Sequence, residues 1–277
     1  MEASWVASLV MEGAWKFRGC SKWGFGWVGR WYKRPSGREG YIKMEAKVAE
    51  FDEALEGVKT QTFAHSLIEC DLIAASDLLI STITFLFFTT FDMINIENLR
   101  QLWGDGIEPT RMRNCIVRKY AIDARRKCAI KIFSNGRLHI TGCTSAGLAS
   151  EYIQKCLDEM RAGGVEGAAT DFQVQMINSN FSFQYAIDLY ALGRILGASS
   201  VPYHYNKDHH HALRFKSPDN VSILVFMSGS VIITGGKIPS FLFTAFKTIV
   251  DIIEREFHNG IILRDYKKRP RYVKKVK

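Results

Sequence analysis

Phe133 and Phe226 each stand eight residues ahead of a threonine–glycine pair, Thr141-Gly142 and Thr234-Gly235, and the two sets lie 93 residues apart. Large flat side chains paired with short hydroxyls at a fixed spacing offer binding chemistry: a phenylalanine can wedge or stack, whereas a threonine can only touch what passes close by. Catalytic signatures are missing, since the chain has no nucleophile elbow, P-loop or HExxH motif, and no enzymatic activity is expected. His209-His210-His211, with His204 and Asp208, is the one cluster with metal-ligand chemistry. Neighbouring histidines in an extended segment point to alternate sides, and no cysteine or second histidine group supports them. Neither a metal nor any other cofactor is expected.

The elements that carry these residues come in two copies. Ile130-Lys-Ile-Phe133-Ser-Asn-Gly136-Arg-Leu-His-Ile140-Thr141-Gly142 returns as Ile223-Leu-Val-Phe226-Met-Ser-Gly229-Ser-Val-Ile-Ile233-Thr234-Gly235, with six of thirteen positions identical and no gap. Phe88 and Phe181, Ile94 and Ile187, and Leu99 and Leu192 keep the same offset. Two copies are too few for a solenoid; a tandem duplication, 78–165 and 171–258, implies a pseudo-twofold domain. Each copy reads as a long strand (Ser81–Phe91; Phe172–Phe183), a short helix (Ile94–Trp103; Ile187–Leu196), further strands, a hairpin turned by Ser-Asn-Gly or Met-Ser-Gly, and a closing amphipathic helix (Gly147–Met160; Ser240–Phe257). Strands with helices on one face make an α+β layer and leave the other face open. By strand alternation Ile130, Ile132, Leu138 and Ile140, and Ile223, Val225, Val231 and Ile233, form the core set. Lys131, Phe133, His139 and Thr141, and Leu224, Phe226, Ile232 and Thr234, point the opposite way.

Charge is unevenly spread. The total is +9, but residues 1–43 carry eight basic side chains against three acidic, and 264–277 carry eight against one, so 44–263 is net −3. Charge alone makes the tails, rather than the domain, the candidates for phosphate attraction. Five of six tryptophans fall in 1–43, a segment expected to be a poorly ordered extension, with Met1 and Met44 both open as the start. Residues 44–77 are expected to hold a short helix on the outside of the domain. The six cysteines show no CxxC spacing and are expected as free thiols in a reducing, intracellular compartment. The apolar run Leu78–Phe88 is too short for a membrane span.

Phe226-Met-Ser-Gly-Ser-Val-Ile-Ile-Thr234-Gly-Gly-Lys237 resembles the second repeat of the TATA-box-binding protein family, and Phe133-Ser-Asn-Gly-Arg-Leu-His-Ile-Thr141-Gly resembles the first. Asp171-Phe-Gln-Val-Gln-Met-Ile is similar to the family's opening strand of repeat two, and the whole is most like the TATA-binding-like proteins of large DNA viruses. The resemblance implies a pseudo-twofold saddle: ten antiparallel strands, a concave face that opens the DNA minor groove, and helices on the convex face. It implies that Phe133 and Phe226 insert between base steps, that Thr141 and Thr234 touch the groove centre, and that Arg214 and Lys237 contact the backbone. Ile116, Leu224, Ile232, Asn178 and Arg137 complete the implied DNA-binding set. Counting back seventeen positions from each phenylalanine puts the family's second wedges at Ile116 and His209, and its paired central asparagines fall at Ile83 and Met176. Asn178 and Asn180 share the face of Met176, and Phe85 and Phe87 are expected there too. The family's acidic loop for the B-type initiation factor is replaced by Val201–His211. The implied partners are double-stranded, AT-rich promoter DNA and a B-type initiation factor or RNA polymerase machinery, engaged by a monomer with no membrane role. The implied location is the nucleus, or a viral factory or virion for a viral protein. The competing reading is a protein-interaction module of the same fold that has lost DNA binding.

Overall fold

Period-two burial decides which way each strand faces, and it runs through both copies: β4 (Lys127–Phe133) and β10 (Ser222–Phe226) bury Ile130, Ile132, Ile223 and Val225 completely and leave Lys131, Phe133, Leu224 and Phe226 part-exposed. The computed structural model describes residues 37–69, 78–108, 110–208 and 210–263, all within one unit, Arg34–Lys277. The remaining strands are β1 (Leu79–Thr89), β2 (Ile107–Glu108), β3 (Cys115–Ala121), β5 (Leu138–Cys143), β6 (Ala169–Ser182), β7 (Ala186–Ile187), β8 (Tyr203–His204), β9 (Ala212–Lys216), β11 (Ser230–Gly236) and β12 (Ile262–Leu263). Ten of them form one antiparallel sheet in the order β2-β3-β4-β5-β1-β6-β11-β10-β9-β8, and β7 and β12 pair separately. The helices are α1 (Gly37–Glu69), α2 (Ile96–Trp103), α3 (Ala146–Ala162), α4 (Leu189–Ala198) and α5 (Pro239–Arg255). The expected α+β architecture is the one observed.

The sheet is the product of duplication. β1 and β6 pair at its centre, with Ile83 opposite Ile177, Thr84 opposite Met176 and Thr82 opposite Asn178. Exchanging the repeats maps this pattern onto itself if β1 corresponds to β6 with an offset of 94, one more than in the hairpins. The flanking ladders agree: Leu138 pairs with Phe87 and its equivalent Val231 with Phe181. The offset returns to 93 at the next helix starts, where Asn95 and Asp188 cap α2 and α4 with the same backbone angles, φ −74° and ψ 104°. The loop after β1 is therefore one residue longer. Phe88 matches Phe181 in sequence only; its structural counterpart is Ser182.

Hairpin geometry is kept in both copies. Gly136 (φ +76°) and Gly229 (φ +83°) turn β4 into β5 and β10 into β11. A Cβ there would lie 2.5 Å from the Phe91 carbonyl oxygen and 2.2 Å from that of Tyr185, so each turn demands glycine on both steric and backbone grounds.

The helix expected as a short outer element over 44–70 is instead 33 residues long and starts at Gly37. It packs against α3, α5 and the central strand β6, burying Met44, Leu55 and Val58. Phe51 meets Phe85 edge-on at 5.7 Å and Phe172 at 6.4 Å between ring centroids. Asp52 accepts from the backbone N–H groups of Ala146 (2.6 Å) and Gly147 (2.8 Å), satisfying donors that the first turn of α3 leaves without intrahelical partners. Lys47 reaches Asp171 and the Phe172 carbonyl, both at 2.7 Å. One helix thus ties both repeats together from the covered side. The stripes expected on α3 and α5 are buried at Ile153, Cys156, Leu157 and Met160 and at Leu242, Phe246, Ile249, Val250 and Ile253. The four described cysteines, Cys115, Cys128, Cys143 and Cys156, are buried free thiols; Cys20 and Cys70 lie outside the described residues. Among the described residues no helix is long and apolar enough to cross a membrane.

Candidate nucleic-acid interface

The face opposite the helices gathers most of the residues singled out by the sequence. Phe133 and Phe226 are part-exposed at the ends of β4 and β10, each just before its glycine turn. Between those strands lie β5, β1, β6 and β11, so the two phenylalanines are five strand spacings apart across the sheet, and the register sets them toward opposite strand ends, Phe133 on the side of Phe87 and Phe226 on the side of Leu79. Thr141 and Thr234 are part-exposed nearer the centre, and Thr234 pairs with Asn178. Leu224, Ile232 (36% exposed) and Arg214 continue the row in the second repeat, with Leu224 directly opposite Arg214. Arg137 lies on the same face in the first repeat, its guanidinium 5.7 Å from the centre of the Phe88 ring. Lys237 stands apart. It follows β11 and lines a groove with Lys47, Phe51 and Pro239, between α1 and the start of α5.

Four expectations are corrected by strand register. Ile116 pairs with Ile132 and is 0% exposed, so it belongs to the covered core and cannot wedge into anything. The residues opposite Phe133 and Phe226 on the open face are Cys115 and Ala212, both buried; His209, the other counted position, lies outside the described residues. Among the described residues each end of the face therefore offers one phenylalanine as a wedge. Phe85 and Phe87 are also 0% exposed, packed against Phe172 at 5.6 and 5.5 Å. Ile83 is a core residue as well, and the central open-face positions are Thr82, Thr84, Met176 and Asn178. Leu86, Phe88 and Leu79 occupy the open side of β1, which the sequence reading had missed. Leu86 and Phe88 alternate regularly with the buried Ile83, Phe85 and Phe87, whereas Leu79 reaches the open side through the irregular step between Ile80 and Thr82, because one extra residue exchanges the two faces of a strand.

Charge is corrected too. Lys119, Lys127 and Lys131 of β3 and β4, Arg137, and Arg214 and Lys216 of β9 all sit at open-face positions of their strands, and the same positions of β3–β5 and β9–β11 carry no carboxylate. The net acidity of 44–263 comes from elsewhere, with Glu45, Glu50, Asp52, Glu53 and Glu56 on α1 and Glu151, Asp158 and Glu159 on α3. Lys119 touches Glu108 on the edge strand β2. His139 adds no charge near neutrality, since burial first and then Lys131 hold its pKa below the ordinary histidine value. The basic tail 264–277 and residues 1–36 lie outside the described residues, whereas 37–43 form the start of α1. The substituted loop carries the short strand β8 at the sheet edge, with Tyr190 and Tyr205 edge-on at 5.2 Å. Among the described residues no group of three histidine, cysteine or acidic side chains could hold a metal.

A duplicated ten-stranded antiparallel sheet with all its helices on one side is the fold of TATA-binding proteins. The structure of the Methanococcus jannaschii TBP is matched with a TM-score of 0.55 over 64% of this chain and 98% of that one, at 20% identity. Residues 171–256 match the family described as transcription factor TFIID, or TATA-binding protein. These likenesses support a divergent chain of the TATA-box-binding protein type, with the family match confined to the second repeat. It is 26% identical over 173 residues to the TATA-box-binding protein-like protein of Acanthamoeba polyphaga mimivirus, covering 48% of this chain and 45% of that one. It is 30% identical over 110 residues to TATA-box-binding protein F of Halobacterium salinarum (39% and 59%), and 29% over 133 residues to TATA-box-binding protein 2 of Arabidopsis thaliana (47% and 64%). The chain thus spans about half to two thirds of the curated relatives it matches.

Proposed function

We propose that this protein is a transcription initiation factor that binds AT-rich promoter DNA in the minor groove, bends it, and recruits the transcription machinery from its helical side. The observation that carries the reading is the open face: cations on β3, β4 and β9 with no carboxylate at the open-face positions of β3–β5 and β9–β11, a central row of Thr82, Thr84, Met176 and Asn178, and a phenylalanine toward each end. Wedges at the two ends of such a face bend a duplex toward the major groove; the unstacking costs a few kcal/mol per step, offset by the extra surface the bent duplex meets. A protein-only role for the same fold would leave the carboxylate-free strands without a purpose. A B-type initiation factor or polymerase subunit is the partner class that fits, acting in the nucleus or in a viral factory.

Mobility-shift titrations of the full chain on an AT-rich duplex at several salt concentrations test this. Binding should weaken linearly in log salt, and Lys131→Ala with Arg214→Ala should reduce the slope by about two if each side chain neutralises one phosphate. An unchanged slope, or no complex at low salt, would count against the reading.

A further inference from the structure

The pseudo-twofold passes through the Ile83–Ile177 pair, so each open-face position of β1 has a mate on β6. Thr84 corresponds to Asn178, and Leu86 to Asn180. The mates differ in chemistry. The Thr234 hydroxyl donates to Asn178 Oδ1 and lies 3.6 Å from the Met176 sulfur. With its oxygen held by the sheet, the Asn178 amide nitrogen makes no hydrogen bond to the described residues, and the side chain lines a groove on the open face with Asn180, Phe226 and Ile232. The neighbouring Asn180 spends a donor on Ser81 Oγ. Across the pseudo-twofold, Thr84 is 7% exposed, and the Thr82 hydroxyl accepts from the Gly142 N–H at 3.0 Å. The face therefore carries an oriented, unspent amide donor on one side of its centre and only hydroxyls on the other.

We infer that Asn178, oriented by Thr234, reads base identity on one side of the pseudo-twofold only, so that the protein requires an A·T pair there and tolerates G·C at the mate position. The inference rests on the minor-groove reading above. In that groove A·T and T·A both present acceptors, whereas G·C adds the guanine amino donor. An amide nitrogen facing an A·T pair finds an acceptor in either orientation. Over G·C the acceptors remain, but the guanine amino donor stands between them and opposes the amide nitrogen, and the amide can offer its oxygen to that group only by giving up the Thr234 bond. A threonine hydroxyl both donates and accepts, so the mate position has no equivalent bar. Asn178 is the specificity residue and Thr234 its positioning residue; together they give a symmetric-looking platform a direction on DNA.

The test uses the full chain and three duplexes: a palindromic A·T site, the same site with one central G·C pair, and the same site with G·C at both dyad-related positions. A one-sided reader escapes the single substitution by binding in the other direction, losing one of two equivalent orientations and about twofold in affinity. The double substitution leaves no escape and should cost about tenfold. Asn178→Thr should make the double substitution nearly free. Thr234→Val, which releases the amide to rotate, should also restore tolerance of G·C while the A·T site is still bound. A full penalty from the single substitution would mean that both halves read. No penalty from the double one, or a penalty that survives Asn178→Thr, would mean that Asn178 does not; each of these results overturns the inference. Binding to none of the three duplexes is a different result, and it removes the DNA reading itself.

Discussion

Replacing Phe133 and Phe226 together by alanine is expected to remove most of the bend from DNA bound to this protein. Both rings are part-exposed on the open face at the outer ends of its row, where a wedge between base steps produces most curvature. Their loss should cost the fold little, under about 2 kcal/mol each, because only part of each side chain is removed from water. Energy transfer between dyes at the two ends of a bound duplex reads the bend, and a thermal melt reads the fold. Thr141→Ala should behave differently, weakening binding while leaving the bend of the remaining complex unchanged, since a threonine is too short to separate bases. An unchanged bend in the double variant, together with a large fall in melting temperature, would make the two phenylalanines packing residues.

Phe172→Ala should have the opposite profile. Phe172 is 1% exposed and sits among Phe51, Phe85 and Phe87, with ring centroids 5.5 to 6.4 Å away. The Lys47 ammonium lies 5.0 Å from its ring centre. This cluster is where α1 meets the two central strands, so the cavity would open at the junction of both repeats. Large-to-small changes of buried phenylalanine cost about 3–5 kcal/mol, which for a unit of this size lowers the melting temperature by about 10 °C or more. A shift of only a degree or two would show that α1 is not part of the cooperative unit.

The duplication, the hairpins and the closing helices were legible in the sequence because identity and amphipathic period coincide there: Ile130 to Gly142 and Ile223 to Gly235 align without a gap, and the buried stripes of α3 and α5 follow the helical repeat. The centre of the sheet was not legible. A constant offset of 93 paired Phe88 with Phe181, whereas one extra residue after β1 makes Phe87 the true counterpart. The same miscount set Ile83 against Met176, whose true counterpart is Thr82, and so carried Phe85 and Phe87, which share the parity of Ile83, to the open face although all three are core. Ile116 failed by a count of one: β3 and β4 pair without irregularity and put Cys115, not Ile116, opposite Phe133. The long helix α1 was foreshortened because residues before Met44 read as an extension, and its partners, Phe172 and the start of α3, are more than ninety residues away. Charge misled through averaging: the carboxylates of α1 and α3 cancel in the sum the lysines and arginines that the strands turn to the other side.

Minor-groove recognition is the claim on which the account stands, and inosine tests it most directly. An inosine–cytosine pair presents the major-groove edge of G·C but lacks the guanine amino group, so its minor-groove edge resembles that of A·T. Affinity should be measured for the full chain on an A·T site, on the same site rebuilt with I·C pairs, and on the site rebuilt with G·C. The account predicts that I·C is bound nearly as well as A·T, and that G·C is bound no better than non-specific DNA. If I·C is instead rejected along with G·C, the protein reads the major groove or does not read bases through this face at all, and the open face needs another ligand.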